Sequence, residues 1–100
     1  MKIRNEFLNH KFTKTSFGAM DFDLFWVEEI EEGRFQAITP YDYSVGMNRT
    51  ILANINIDGI LLTKHYNTQD LDFTRDDDIY FRTVIRDVYE EIYRQKKDSL

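Results

Sequence analysis

The stretch from Thr74 to Arg94 constrains the fold more than any other part of the chain. Thr74 is followed by Arg75 and three acids, Asp76, Asp77 and Asp78, and then by apolar residues at Phe81, Val84, Ile85, Val88 and Ile92. Apolar residues three and four apart, behind a hydroxyl and an acidic first turn, are the signature of a capped amphipathic helix, here predicted over about 75–96. Nearly everything before it has the alternation and turn chemistry of strands. The chain is therefore predicted to be α+β: an antiparallel β-sheet of four to six strands, with two clear hairpins, packed against one C-terminal amphipathic helix.

One hundred residues correspond to a single domain, 1–100, large enough to bury a core without metals or disulfides. Eight Phe and six Tyr supply much of the volume for that core, although large aromatics also enrich binding surfaces. The absence of Cys removes disulfides, thiolate ligands and a Cys nucleophile, and favours a reducing compartment. No apolar run reaches membrane-spanning length and no apolar signal segment stands at the N-terminus, so a cytoplasmic protein is expected. The net charge of −5 is unevenly placed. Residues 1–20 carry Lys2, Arg4, Lys11 and Lys14 against Glu6, whereas residues 21–60 carry eight acids against Arg34 and Arg49. An acidic middle argues against direct binding to a phosphate backbone, which needs clustered Lys and Arg. It suits a basic protein surface.

Residues 1–18 read either as a short helix lined by Ile3, Phe7 and Leu8 or as two strands, 2–8 and 10–15, with a turn at Gly18. Phe12-Thr13-Lys14-Thr15 favours strand for the second of these. Residues 20–39 read as a hairpin turning at Glu31-Glu32-Gly33-Arg34. With Glu32-Gly33 as the loop, Glu31 faces Arg34, Ile30 faces Phe35 and Glu28 faces Ala37. Glu28 then falls on the apolar face, which argues for a bulge or for a strand that has left the core. Pro40, Gly46 and Asn48 mark a loop over 40–48. Residues 49–66 form the second hairpin. Asp58-Gly59 as its turn pairs Ile57 with Ile60, Ile55 with Leu62, Ala53 with Lys64 and Ile51 with Tyr66.

Little in the chain announces chemistry. His10 and His65 are the two histidines and have no readable metal or acid–base partners. Asp76-Asp77-Asp78 fits a helix N-terminus stabilised by the macrodipole, with Thr74 and Asp77 spaced as a capping box. Counted from Asp70 with Asp72, a calcium loop would need Gly at position 75 and Glu at position 81, where Arg75 and Phe81 stand. Ser16, Ser44 and Ser99 lie in no nucleophile context, and four scattered glycines make no phosphate cradle. Asn48-Arg49-Thr50 matches a glycosylation sequon that a cytoplasmic chain never presents to the transferase. No cofactor is expected, and no catalytic residue.

The remaining feature is acidic. By period two, Asp21, Asp23, Glu29 and Glu31 share one strand face, interrupted by Phe25 and Val27, with Glu28 and Glu32 close by. Residues two apart on a strand are separated by about 6.6 Å, comparable with phosphate spacing, so a carboxylate row could occupy the basic channel of a nuclease or helicase. A mixed acidic and apolar patch also resembles a protein-binding surface. Tyr41 and Tyr43, in the loop after Pro40, are added as anchor candidates, as are the helix tyrosines Tyr80, Tyr89 and Tyr93. In size, acidity and lack of catalytic groups the chain is similar to small phage and mobile-element proteins of the anti-CRISPR and anti-restriction type. That resemblance, of class and not of motif, implies an inhibitor of a nucleic-acid-processing enzyme.

The expected function is thus a small acidic protein-binding domain, not an enzyme, using Asp21, Asp23, Phe25, Glu28, Glu29, Glu31, Glu32, Tyr41 and Tyr43. The alternative is a self-associating structural or assembly module, a homo-oligomer joined by sheet edges or helix aromatics. A metal enzyme built on Asp70, Asp72, Asp76 and His65 ranks last.

Overall fold

The helix begins where its cap is written. The computed structural model describes residues 12–16, 20–39, 49–69, 71 and 73–98, with side chains from residue 24 onward. Within it α1 spans Arg75–Asp98. Thr74 and Asp77 close a reciprocal capping box. The Asp77 N–H donates to Thr74 Oγ1 at 3.1 Å and the Thr74 N–H donates to Asp77 Oδ2 at 2.9 Å. Two of the orphan N–H groups at a helix start are thereby satisfied. The predicted inner stripe, Phe81, Val84, Ile85, Val88 and Ile92, is the buried face. Each such side chain contributes roughly 1.5–3 kcal/mol on burial.

Five strands precede the helix: β1 Phe12–Ser16, β2 Met20–Glu31, β3 Arg34–Thr39, β4 Thr50–Asn56 and β5 Gly59–Leu62. They form one antiparallel sheet in the order β1-β2-β3-β4-β5, each strand beside its neighbour in sequence. The α+β architecture matches the sequence expectation, and five strands fall within its range. The readings made for residues 1–11, Gly18, the 40–48 loop with Tyr41 and Tyr43, and Asp70 and Asp72 lie outside the described residues.

Three bulges govern which residues reach the core. Opposite β1, Phe25 pairs with Phe12 and Asp23 with Thr13, so Leu24 is an extra residue in β2. Opposite β3, Glu29 pairs with Phe35 and Glu31 with Arg34, so Ile30 is a second extra residue. In β4, Ala53 pairs with Ala37 and Ile51 with Ile38, leaving Leu52 as the third. A bulge sets two residues against one and shifts the alternation of faces. The expected pairs Ile30–Phe35 and Glu28–Ala37 are therefore replaced by Glu29–Phe35 and Glu28–Gln36. The Ile30 bulge is what takes Glu28 off the apolar face. Leu24 and Phe25, adjacent in sequence, are both buried in the core cluster, as the bulge between them and Asp23 allows.

The second hairpin turns one residue earlier than Asp58-Gly59 implies. Asn56 pairs with Gly59, Ile55 with Ile60, Asn54 with Leu61 and Ala53 with Leu62, leaving Ile57-Asp58 in the turn. The cause is Asn56, whose Oδ1 accepts the Asp58 N–H at 2.7 Å and makes a side-chain mimic of a backbone turn. Gly59 follows with φ of 142°, a conformation open to glycine. The register shift is two residues. Because side chains alternate with period two, each β5 residue keeps its face. Lys64, His65 and Tyr66 leave the ladder, and His65 sits in a turn instead of on a strand.

The sheet thus has a core row, Val27–Ala37–Ala53–Leu62, under the helix and a row on the opposite face, Glu28–Gln36–Asn54–Leu61. An aromatic cluster fills the space around the N-terminal half of α1. Phe81 meets Phe25 edge-on at 4.9 Å, stacks on Tyr66 at 4.6 Å and lies 6.2 Å from Phe73.

Tyr66 fastens the β5–α1 connection to the helix. Its hydroxyl donates to Asp78 Oδ1, Arg82 Nε donates to the same oxygen at 3.0 Å, and the Arg82 guanidinium lies 5.5 Å from the Tyr66 ring centroid. Burial, followed by the Asp78 carboxylate, raises the Tyr66 phenol above its ordinary range. The Tyr66 hydrogen bond, then Arg82, holds the Asp78 carboxyl below its usual value. The signs define a plateau. A lowered carboxylate stabilises the fold above its unfolded pKa of about 3.9, and the gain is lost as pH falls through the folded value. A raised phenol stabilises below its unfolded pKa of about 10, and the gain is lost as pH rises from there through the higher folded value. Tyr66→Phe keeps the ring stack and removes the hydroxyl. Urea unfolding across acid and alkaline pH is expected to give flatter limbs for Tyr66→Phe than for the wild type. Superimposable profiles would contradict the coupling.

Candidate protein-binding surface

The acids of β2 do not form one row. Two bulges lie between Asp21 and Glu31, so odd numbering no longer marks a single face. Asp21 and Asp23 occupy positions opposite Thr15 and Thr13 in the β1–β2 ladder. Glu28, Glu29, Glu31 and Glu32 gather instead at the far end of the hairpin, around the Ile30 bulge and the turn.

Phe25 is not a surface residue. It is fully buried beneath α1, as is Val27, so neither contributes to a mixed acidic and apolar patch. The only period-two count that could place Phe25 beside the acids is the one that the Leu24 bulge breaks. Ile30, which no sequence argument selected, takes the apolar position at the tip at 44% exposure.

Each tip carboxylate has a distinct setting. Glu28 accepts the Trp26 indole N–H at 2.9 Å and forms an ion pair with Arg49. The Arg49 guanidinium lies 6.0 Å from the Trp26 ring centroid, closing a three-residue cluster on the face away from the helix. The Trp26 hydrogen bond holds Glu28 below its usual pKa against the opposing effect of burial, with Arg49 acting in the same direction as Trp26. Its charge is therefore largely committed within the chain. Trp26 and Glu28 are two apart on one strand, which the sequence displays. Arg49 arrives from the start of β4, which it does not. Glu31 pairs with Arg34 across the turn, as expected, and both partners remain more than half exposed. Such a pair contributes little to stability. Glu29 Oε2 accepts the Gly33 N–H at 3.3 Å, and Gly33 has φ of 77°. Together the hairpin end carries four carboxylates beside the Arg34 and Arg49 guanidinium groups, and Lys96 of α1 lies within electrostatic reach of Glu32.

The helix tyrosines do not form one patch. Tyr80 and Tyr93 are each about half exposed but lie 13 residues apart along α1, about 20 Å at 1.5 Å per residue. Tyr89 is partly buried against the core, with its ring 6.3 Å from Tyr93. Asp76 is exposed, and among the described residues no group of three His, Asp or Glu side chains could hold a metal ion. Among them also, no helix is long and apolar enough to cross a membrane.

Fold and surface define a five-stranded antiparallel meander backed by one helix, with an acidic hairpin end. Comparison of the chain with protein-family models, with curated proteins and with solved structures yields no match.

Proposed function

We propose that this is a non-catalytic binding domain that docks the end of its β2–β3 hairpin on a basic protein surface. The partner class that best fits is a nucleic-acid-processing enzyme, whose substrate channel is lined with Lys and Arg. The supporting observation is the concentration of exposed Glu29, Glu31 and Glu32 around exposed Ile30 on a bulged hairpin end. That arrangement offers charge for steering and one apolar contact for a central anchor.

The test combines capture and charge reversal. The tagged protein is expected to retain a nuclease, helicase or restriction subunit from a bacterial lysate at low salt and to release it as salt rises. Replacing Glu29, Glu31 and Glu32 together by Lys should abolish that capture while the circular dichroism spectrum and melting temperature change little, because all three side chains are exposed. Retention undiminished by the triple substitution would remove the hairpin end from the interface.

A further inference from the structure

We propose that two copies of this chain associate through the open edge of β5, continuing the sheet across a two-fold axis. β5 is the last strand in the order and, among the described residues, pairs only with β4. The short strand Gly59-Ile60-Leu61-Leu62 carries neither charge nor Pro, whereas β1 at the opposite edge contains Lys14. Leu61 is 69% exposed, the highest value among the large apolar residues described, and Ile57 and Ile60 beside it are each 37% exposed.

The backbone is in phase for such pairing. The Thr63 N–H donates to the Leu52 carbonyl at 2.9 Å, on the β4 side. In an antiparallel ladder alternate residues bond the same neighbour. Gly59, Leu61 and Thr63 therefore face β4, and Ile60 and Leu62 direct their N–H and C=O groups to the open edge. An antiparallel register centred on Leu61 sets Ile60 opposite Leu62 of the second copy, twice by symmetry, with both pairs hydrogen-bonded. Leu61 then meets its own equivalent in a non-hydrogen-bonded pair, where side chains approach most closely.

Charge selects this register and a second copy as the occupant. Asp58 and Lys64 flank the strand at equal distances from Leu61, both are exposed, and neither is ion-paired within the described residues. Asp58 stands in the turn before β5 and Lys64 in the turn after it, so centring on Leu61 brings the Asp58 end of each copy beside the Lys64 end of the other. Sliding the register by two residues draws these ends about 6.6 Å apart along the strand and weakens both ion pairs. An edge of this length buries less than a standard protein interface, so the dimer is weak and concentration-dependent. The inference uses none of the hairpin-end glutamates and stands apart from the function proposed above.

Sedimentation equilibrium of the full chain over a concentration series tests it. A reversible monomer–dimer equilibrium is expected, weakened about tenfold or more by Leu61→Lys, which sets like charges opposite each other. Lys64→Asp should also weaken it, and combining Asp58→Lys with Lys64→Asp should restore it. These side chains are exposed, and circular dichroism verifies that each variant folds. A monomer at millimolar concentration, a dimer indifferent to Leu61→Lys, or failure of the charge swap to restore association would each overturn the proposal.

Discussion

Phe81→Ala is expected to remove about 3–5 kcal/mol of stability, a large share of the 5–15 kcal/mol typical of a domain. Phe81 is fully buried, at 0% accessibility, with Phe25 edge-on to it, Tyr66 stacked on its face and Phe73 nearby. Truncation deletes the transfer free energy of the ring and leaves a cavity that three other rings, held by the sheet and by the Tyr66–Asp78 contact, cannot readily fill. The melting temperature should fall by on the order of 15–30 °C. In urea the midpoint should drop with little change in slope, as expected when stability alone has changed. A loss under about 1 kcal/mol would mean that the cluster is much looser than its geometry.

Phe25→Ala should cost a comparable amount, about 3–5 kcal/mol, and this outcome separates two roles for one residue. Alternation along β2 predicts Phe25 at a partner surface, where truncation would weaken binding and leave stability nearly unchanged. Its burial at 0% under α1, 4.9 Å from Phe81 and 6.5 Å from Tyr80, assigns it to the core. Because Phe25 and Phe81 touch, the two substitutions should not add. The double variant is expected to fall short of the sum by about 0.5–3 kcal/mol, since the cavity left by one ring is shared with the other. Urea titration of the four proteins completes the cycle.

The legible parts of this protein are those where the signal and its cause are close in sequence. Thr74 and Asp77 are three residues apart and bond each other, so the helix start follows from the chain itself. The apolar stripe of α1 repeats with the helical period and becomes the buried face. Glu31 and Arg34 flank the first turn and pair across it. At the second turn the sequence carries two competing signals, and the Asn56 side chain, by capturing the Asp58 N–H, prevails over Asp58-Gly59. The outcome preserved every face because the shift was even.

The acidic surface was less legible because the bulges were. A bulge adds one residue to one strand, and whether it forms depends on what the partner strand and the helix above can accommodate. Leu24 and Ile30 carry no local mark of that role. One extra residue in the first half of β2 and a second near its end are enough to separate Asp21 and Asp23 from the hairpin-end glutamates in the count, and to send Phe25 inward. Arg49 reaches Glu28 from 21 residues away and lies over Trp26 as well, contacts that only the β3–β4 pairing creates. The sequence by itself determined the fold class, the helix with its cap and buried stripe, and the excess of acid in the first hairpin, since these depend on periodicity, short-range hydrogen bonds and composition. Only the tertiary structure decided which acids stand together, which aromatic is core and which edge is left open, because strand register is fixed by the partners a strand meets.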